Sequence, residues 1–288
     1  MTETLYARAG LMKLPVSALS AAGALLGFAA CRPDGAPAAL LAGAGVFLLS
    51  GGACALNNYQ DRDFDRGLER TRRRPLPSGR IGPRQALLQA ALLLGAGLAL
   101  LSAFSASPLA PLAGLLAVLL YNGAYTPLKK KTLAALIPGV ACGTLPPLVG
   151  WLAAGGEPGS PRLFYLLALF GVWQLPHLWL LALSDSRDEL RRAAPSFLDS
   201  LSLPQLRRLV VTWTAAFAFL TLFLKVFGFI GNGWPAVLLA LNALALPAVF
   251  AAALRKPGGA AGFRRLFLYL NASLLGVTLL AAADALFL

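Results

Sequence analysis

The chain has 288 residues, of which 58% are hydrophobic and only 13% charged, and its mean hydropathy is +0.69; a soluble domain carries roughly 25% charged residues. That excludes an ordinary water-soluble enzyme, a disordered chain and a disulfide scaffold, and leaves an all-α polytopic membrane protein. The formal charge of +13 is not a nucleic-acid footprint, since no basic patch is interleaved with aromatics, and Cys31, Cys54 and Cys142 are too scattered for a CxxC pair or a disulfide framework.

In chain order, nine stretches approach the ~20 apolar residues a membrane helix needs. They fall at about 14–31, 36–56, 85–104, 108–125, 133–153, 163–184, 207–229, 234–254 and 265–287. The first has no cleavage-type segment ahead of it and reads as a retained helix. Gly43-Ala44-Gly45 and Gly95-Ala96-Gly97 let helix backbones approach closely in lipid. Pro138, Pro146, Pro147, Pro176 and Pro247 read either as ordinary kinks or as kinks around a central cavity open to the cytoplasmic side. Every Lys and Arg except Arg32, Arg162 and Lys225 lies at the N-terminus or in alternate loops. By the positive-inside rule this gives one multi-pass domain over 1–288 with a cytoplasmic N-terminus. The membrane expected is the inner (plasma) membrane.

Acidic residues gather in two cytoplasmic-side stretches, Asp61, Asp63, Asp65 and Glu69 after the second span, and Asp185, Asp188, Glu189 and Asp199 after the sixth. If the second helix runs past the membrane boundary, Asn57, Asp61 and Asp65 share one face, with Asn58 beside them and Asp63 turned away. Like charges at that spacing repel, and a cation between them removes the conflict. Asn and Asp oxygens suit Mg²⁺. A solvated loop is the plainer reading. Arg62, Arg66, Arg70 and Arg72 to Arg74 favour the metal, because arginines make sense around a cation–diphosphate pair. Asp185 and Asp188 provide a second carboxylate group on the same side.

Tyr121, Tyr125 and Lys129 recur every four residues at the end of the fourth span. They are a phosphate-contacting stripe, or an interfacial aromatic anchor with snorkelling lysines. His177, the only histidine, lies inside the sixth span with Gln174 three residues before it. It is a functional group facing the bundle interior, or a hydrogen-bonded packing histidine.

These segments carry a resemblance. Asn57-Asn58-Tyr59-Gln60-Asp61-Arg62-Asp63-Phe64-Asp65, with Glu69-Arg70-Thr71 and Arg74-Pro75-Leu76 after it, resembles the first aspartate-rich motif of UbiA-type intramembrane prenyltransferases, in the branch that farnesylates protohaem IX. Tyr125-Thr126 followed by Lys129-Lys130-Lys131-Thr132 is similar to that branch's tyrosine–basic segment. Pro146-Pro147-Leu148-Val149-Gly150-Trp151 and Trp173-Gln174-Leu175-Pro176-His177 resemble two more. The resemblance implies Mg²⁺-dependent transfer of an isoprenyl group, farnesyl by this branch, from its diphosphate to a lipophilic acceptor, the vinyl group of haem b. It implies metal ligation by Asn57, Asn58, Asp61, Asp65, Asp185 and Asp188, and substrate contacts from Asn57, Asn58, Arg70, Tyr125, Lys129 and Gln174. Asp61, Asp65, Asp188 and His177 would carry the chemistry, His177 at the acceptor or at a proton. A quinone-precursor ring or lipid alcohol is the alternative acceptor, and a membrane transporter the non-enzyme alternative.

Overall fold

A computed structural model describes residues 2–69, 71–184, 201–255 and 259–287. They form helices throughout, with no strand among them: α1 (Thr2–Met12), α2 (Leu14–Cys31), α3 (Ala36–Arg66), α4 (Pro83–Phe104), α5 (Leu109–Leu128), α6 (Leu136–Ala153), α7 (Pro161–Leu183), α8 (Leu203–Val226), α9 (Trp234–Arg255) and α10 (Ala260–Phe287). Among the described residues, nine helices, α2 to α10, are long and apolar enough to cross a membrane. Several start where sequence chemistry puts a start. Ser202 and Gln205 form a reciprocal capping box at α8, and Pro83 opens α4 at a position with no hydrogen bond to lose.

The core has two halves joined by α2. Leu19 and Leu26 of α2 pack with Leu166, Phe170, Phe217, Phe250 and Leu274 from α7 to α10. Ala24 and Phe28, on the other side, pack with Val46, Leu49, Leu101 and Val149 from α3, α4 and α6. Gly27 and Gly150 make this central position feasible. A Cβ on Gly27 would lie 2.0 Å from the Pro147 carbonyl oxygen, and one on Gly150 would lie 1.8 Å from that of Ala24. Helices α2 and α6 therefore touch backbone to backbone, as small residues permit in lipid. Leu88, Leu92, Leu112, Leu119, Leu241 and Leu244 point outward, as expected of a surface solvated by acyl chains.

Three local features depart from the sequence expectation. Helix α3 runs on to Arg66, about ten residues past the expected edge at 56. At 1.5 Å per residue its 31 residues span ~46 Å, against ~30 Å of hydrocarbon, so its last turns emerge from the apolar layer. The segment before the first span is itself helical: α1 buries Ala7 and Leu11 with Ala55, Leu76, Ile81 and Ala86 in a satellite core. And α5 widens into a π-helical turn over Leu119–Tyr125.

Candidate active site

The site grows from the overhanging end of α3. Asn57, Asp61 and Asp65 lie one turn apart on a single face and are buried, with exposures of 0%, 2% and 3%. Asp63 points away, its carboxylate 67% exposed beside Arg62 and Arg66. Two carboxylates one turn apart on an inward face need countercharge, and three other elements supply it. From the end of α5, Lys129 donates to Asp61 Oδ2, and the Lys130 ammonium lies 2.8 Å from Asp61 Oδ1. From the α3–α4 loop, Arg74 donates to Asp65 Oδ2 at 2.8 Å, while the Thr71 hydroxyl bonds the Asp65 carbonyl at 2.9 Å. From the α1–α2 joint, Lys13 Nζ donates to Asn57 Oδ1 at 2.7 Å. The Asn57 amide nitrogen then donates to Asp61 Oδ2 and to Thr126 Oγ1, both at 2.9 Å.

Lys13 holds φ 48° and ψ 60°, the left-handed region a side chain enters only at a cost. That joint turns its ammonium under α3, where burial lowers its pKa to about 8, with Arg74 and Lys129 pushing the same way and Asp61 opposing. Burial also lowers the pKa of Lys129, against the pull of Asp61. Four cationic side chains thus surround two carboxylates and one amide, and the face carries surplus positive charge ready for an anion.

The π turn in α5 brings the rest into register. Asn122 within it donates to the Ala53 carbonyl and to Gln60 Oε1, both at 3.0 Å, tying α5 to α3. The Tyr121 and Tyr125 rings stack at 5.8 Å, and Lys129 Nζ lies 5.5 Å from the centre of the Tyr125 ring. The expected stripe of two phenols and an ammonium is present. Tyr125 rests on Gly139 of α6, where a Cβ would approach the ring to 2.9 Å and Leu178 of α7 to 3.8 Å.

Other expected residues stand elsewhere. Asn58 turns its amide to the carbonyls of Leu11 and Cys54, at 3.0 and 2.9 Å, so it ties α1 to α3 beside the acidic face. Gln174 is buried on α7 over Gly143, where a Cβ would collide with its amide nitrogen at 1.3 Å. His177, one turn on, bonds Asn271 of α10 through Nδ1 at 3.1 Å, between the rings of Trp173 and Phe267. Arg70, Asp185 and Asp188 lie outside the described residues. Of the other arginines in this stretch, Arg62, near the end of α3, covers the Tyr59 ring and Arg72 pairs with Glu69; among the described arginines, Arg74 is the one paired with the buried acidic face. Sequence reasoning treats Lys13 as a topology signal, names Thr126 and Lys130 only within the tyrosine–basic segment with no role of their own, and does not single out Asn271. A lone lysine ahead of an apolar span was the available signal for Lys13; nothing local marks Asn271.

The donor set fits a hard divalent cation. Asp61 and Asp65 offer carboxylate oxygens and Asn57 a carbonyl oxygen, and no cluster of three or more His, Cys, Asp or Glu exists among the described residues. So few protein oxygens suit Mg²⁺, which keeps waters and takes its remaining ligands from substrate phosphates.

Comparison with known proteins agrees with this picture. Residues 16–273 match the UbiA prenyltransferase family. The protoheme IX farnesyltransferase of Geobacter sulfurreducens is 39% identical over 216 residues, which cover 75% of this chain and 79% of that one. Its counterpart from Oleidesulfovibrio alaskensis is 34% identical over 291 residues, 98% and 97% of the two chains. Among solved structures, the apo UbiA homolog of Aeropyrum pernix superposes with a TM-score of 0.71 at 20% identity, covering 94% of this chain and 97% of that one. The Archaeoglobus fulgidus homolog bound to DMAPP and Mg²⁺ gives 0.66 at 16%, with coverage of 94% and 98%. At such identities these two matches establish the shared fold.

Proposed function

Because this chain belongs to the UbiA prenyltransferase family, we propose that it transfers a farnesyl group from farnesyl diphosphate to a vinyl group of haem b, with Mg²⁺ at the end of α3. The chain acts as one integral-membrane domain, with this end at the cytoplasmic face of the inner membrane. The observation that carries the reading is the buried Asn57–Asp61–Asp65 face ringed by Lys13, Lys129, Lys130 and Arg74. The haem acceptor is supported by the names of relatives that match most of the chain.

Asp61, Asp65 and Asn57 would hold Mg²⁺, which when bound would supply charge neutralisation for the departing diphosphate. Asp185 and Asp188, which follow α7 in the chain, are the second carboxylate group that the resemblance assigns to the metal. Lys129, Lys130, Lys13 and Arg74 turn from the acids to phosphate oxygens. The charge they stabilise there builds up as the allylic C–O bond breaks and its electron pair leaves with the diphosphate. Tyr125 packs beside Lys129, and the apolar residues of α5, α6 and α7 keep water from the allylic cation. A vinyl carbon of the acceptor attacks that cation, and a water adds to the neighbouring carbon and loses a proton.

Membranes containing the chain, incubated with Mg²⁺, farnesyl diphosphate and either haem b or 4-hydroxybenzoate, test this by product mass. Haem gaining farnesyl and hydroxyl groups is expected, with activity abolished by a chelator and restored by Mg²⁺. Prenylation of 4-hydroxybenzoate alone would move the chain to the quinone-precursor branch.

A further inference from the structure

The π turn of α5 does more than bring Lys129 to the acids. Within it the Thr126 N–H bonds the Tyr121 carbonyl, one residue further back than an α-helix would have it. The Asn122 carbonyl thus loses its α-helical partner, and Pro127, next in line, has no N–H to offer. Gln60 Nε2 of α3 meets that carbonyl at 3.0 Å, and Asn122 Nδ2 returns a bond to Gln60 Oε1. This reciprocal tie holds Thr126 against α3, where it is buried. Single π turns are frequent at functional sites, and this one delivers a hydroxyl to the Asn57–Asp61–Asp65 face.

Donor and acceptor roles around Asn57 then follow one from another. The Thr126 hydroxyl donates its one proton to the Tyr121 carbonyl at 2.8 Å, since a carbonyl oxygen only accepts. Toward Asn57, 2.9 Å away, Thr126 Oγ1 is left to accept, so the atom facing it is Nδ2. Asp61 Oδ2, an acceptor, requires the same nitrogen, and Lys13 Nζ, a donor, requires Oδ1. These three partners agree but are not equivalent. In the Mg²⁺ reading above, on which this rests, Asp61 is itself a metal ligand and Lys13 leaves Asn57 for phosphate. Thr126 is the partner whose bond need not change when metal and diphosphate bind. We infer that Thr126 is a positioning residue, which holds the Asn57 amide by its nitrogen and so keeps the carbonyl oxygen turned to the cation. Without the hydroxyl the amide can rotate and turn its N–H groups toward the cation, which they cannot ligate.

Equilibrium dialysis of the purified chain in detergent tests this, with Mn²⁺ in place of Mg²⁺, inorganic pyrophosphate on both sides and retained metal as the readout. Wild type should retain Mn²⁺. Thr126→Val keeps the branched shape and the backbone bond to Tyr121 but has no hydroxyl. It should bind about 10- to 100-fold more weakly, the usual cost of losing a partner that orients a metal ligand. Thr126→Ala should do the same without a methyl against the amide, and Thr126→Ser, which keeps the hydroxyl, should match wild type. Asn57→Ala removes the ligand itself, so adding Thr126→Val to it should cost nothing further. The melting temperature without metal is the folding control. Retention by Thr126→Val or Thr126→Ala equal to wild type, or a Thr126→Val loss of the same size in the Asn57→Ala background, overturns the inference and leaves the Mg²⁺ reading standing. A wild type that retains no Mn²⁺ overturns both.

Discussion

Asp61 and Asp63 are two residues apart on α3, yet they meet opposite surroundings. Asp61 is buried against two ammonium groups, while Asp63 sits in solvent with two exposed arginines. Exposed pairs contribute ~0–1 kcal/mol, so Asp63→Asn should leave prenyl transfer within about twofold of wild type. Asp61→Asn removes a carboxylate from the metal face and leaves Lys129 and Lys130 against a neutral amide. Transfer should fall by ~10²-fold or more, the usual scale for one preorganised electrostatic group. Product mass spectrometry on both variants, with detergent-stable yield as the folding control, checks the pair. Equal activity in the two would remove the acidic face from the reaction. At this scale the sequence was most informative about periodicity: the four-residue spacing of Asn57, Asp61 and Asp65 already placed them on one side of a helix. It was least informative about partners from other elements. Nothing in the spacing says that Lys13, 44 residues away, donates to Asn57, because that contact depends on how α1 folds back under α3.

The elements themselves were legible wherever hydrophobicity decides them, and the nine spans appear within a few residues of their expected starts. Hydropathy could not give the end of α3, because its last ten residues are polar and are held helical by packing against α5 and the α3–α4 loop. Nor could it give the π turn, which accompanies the side-chain bonds from Asn122 to α3. Prolines are a third case. Pro146 and Pro147 left two readings open, and the structure adds that the Pro147 carbonyl lies at one of the two close backbone approaches between α2 and α6. Gly27→Ala or Gly150→Ala would thrust a methyl into an opposing carbonyl, where no flexible side chain can yield. Overpacking of this kind costs about 1–3 kcal/mol. Gly95 on α4 has nothing within 4 Å of its Cβ position, so Gly95→Ala should be neutral or gain up to ~1 kcal/mol from helix propensity. Thermal melts in detergent should therefore separate the first two variants from the third by several degrees.

For the whole molecule, the charge that dominates the composition is organised by the fold. Helices α3, α5, α7 and α9 end on one side, and α2, α4, α6, α8 and α10 begin there. That side carries Lys13, the α3–α4 arginines and Lys129 to Lys131, which means that the positive-inside signal and the proposed diphosphate site occupy the same end of the bundle. The coincidence has a physical use. In the proposed orientation, a cytoplasmic excess of Lys and Arg would orient the chain during insertion, and the same charges would then attract an anionic, water-soluble head whose prenyl tail partitions into the bilayer. If the orientation were reversed, the acidic face would open away from the cytoplasm. In a variant with Cys31, Cys54 and Cys142 replaced, a single cysteine reports which side is which. Ser78→Cys, in the exposed part of the α3–α4 loop, should resist a membrane-impermeant thiol reagent in intact cells and react after permeabilisation. Gly159→Cys, exposed in the loop before α7, should react in intact cells whose outer surface is accessible. The opposite pattern would place the site on the outer face and remove the link between insertion charge and substrate capture.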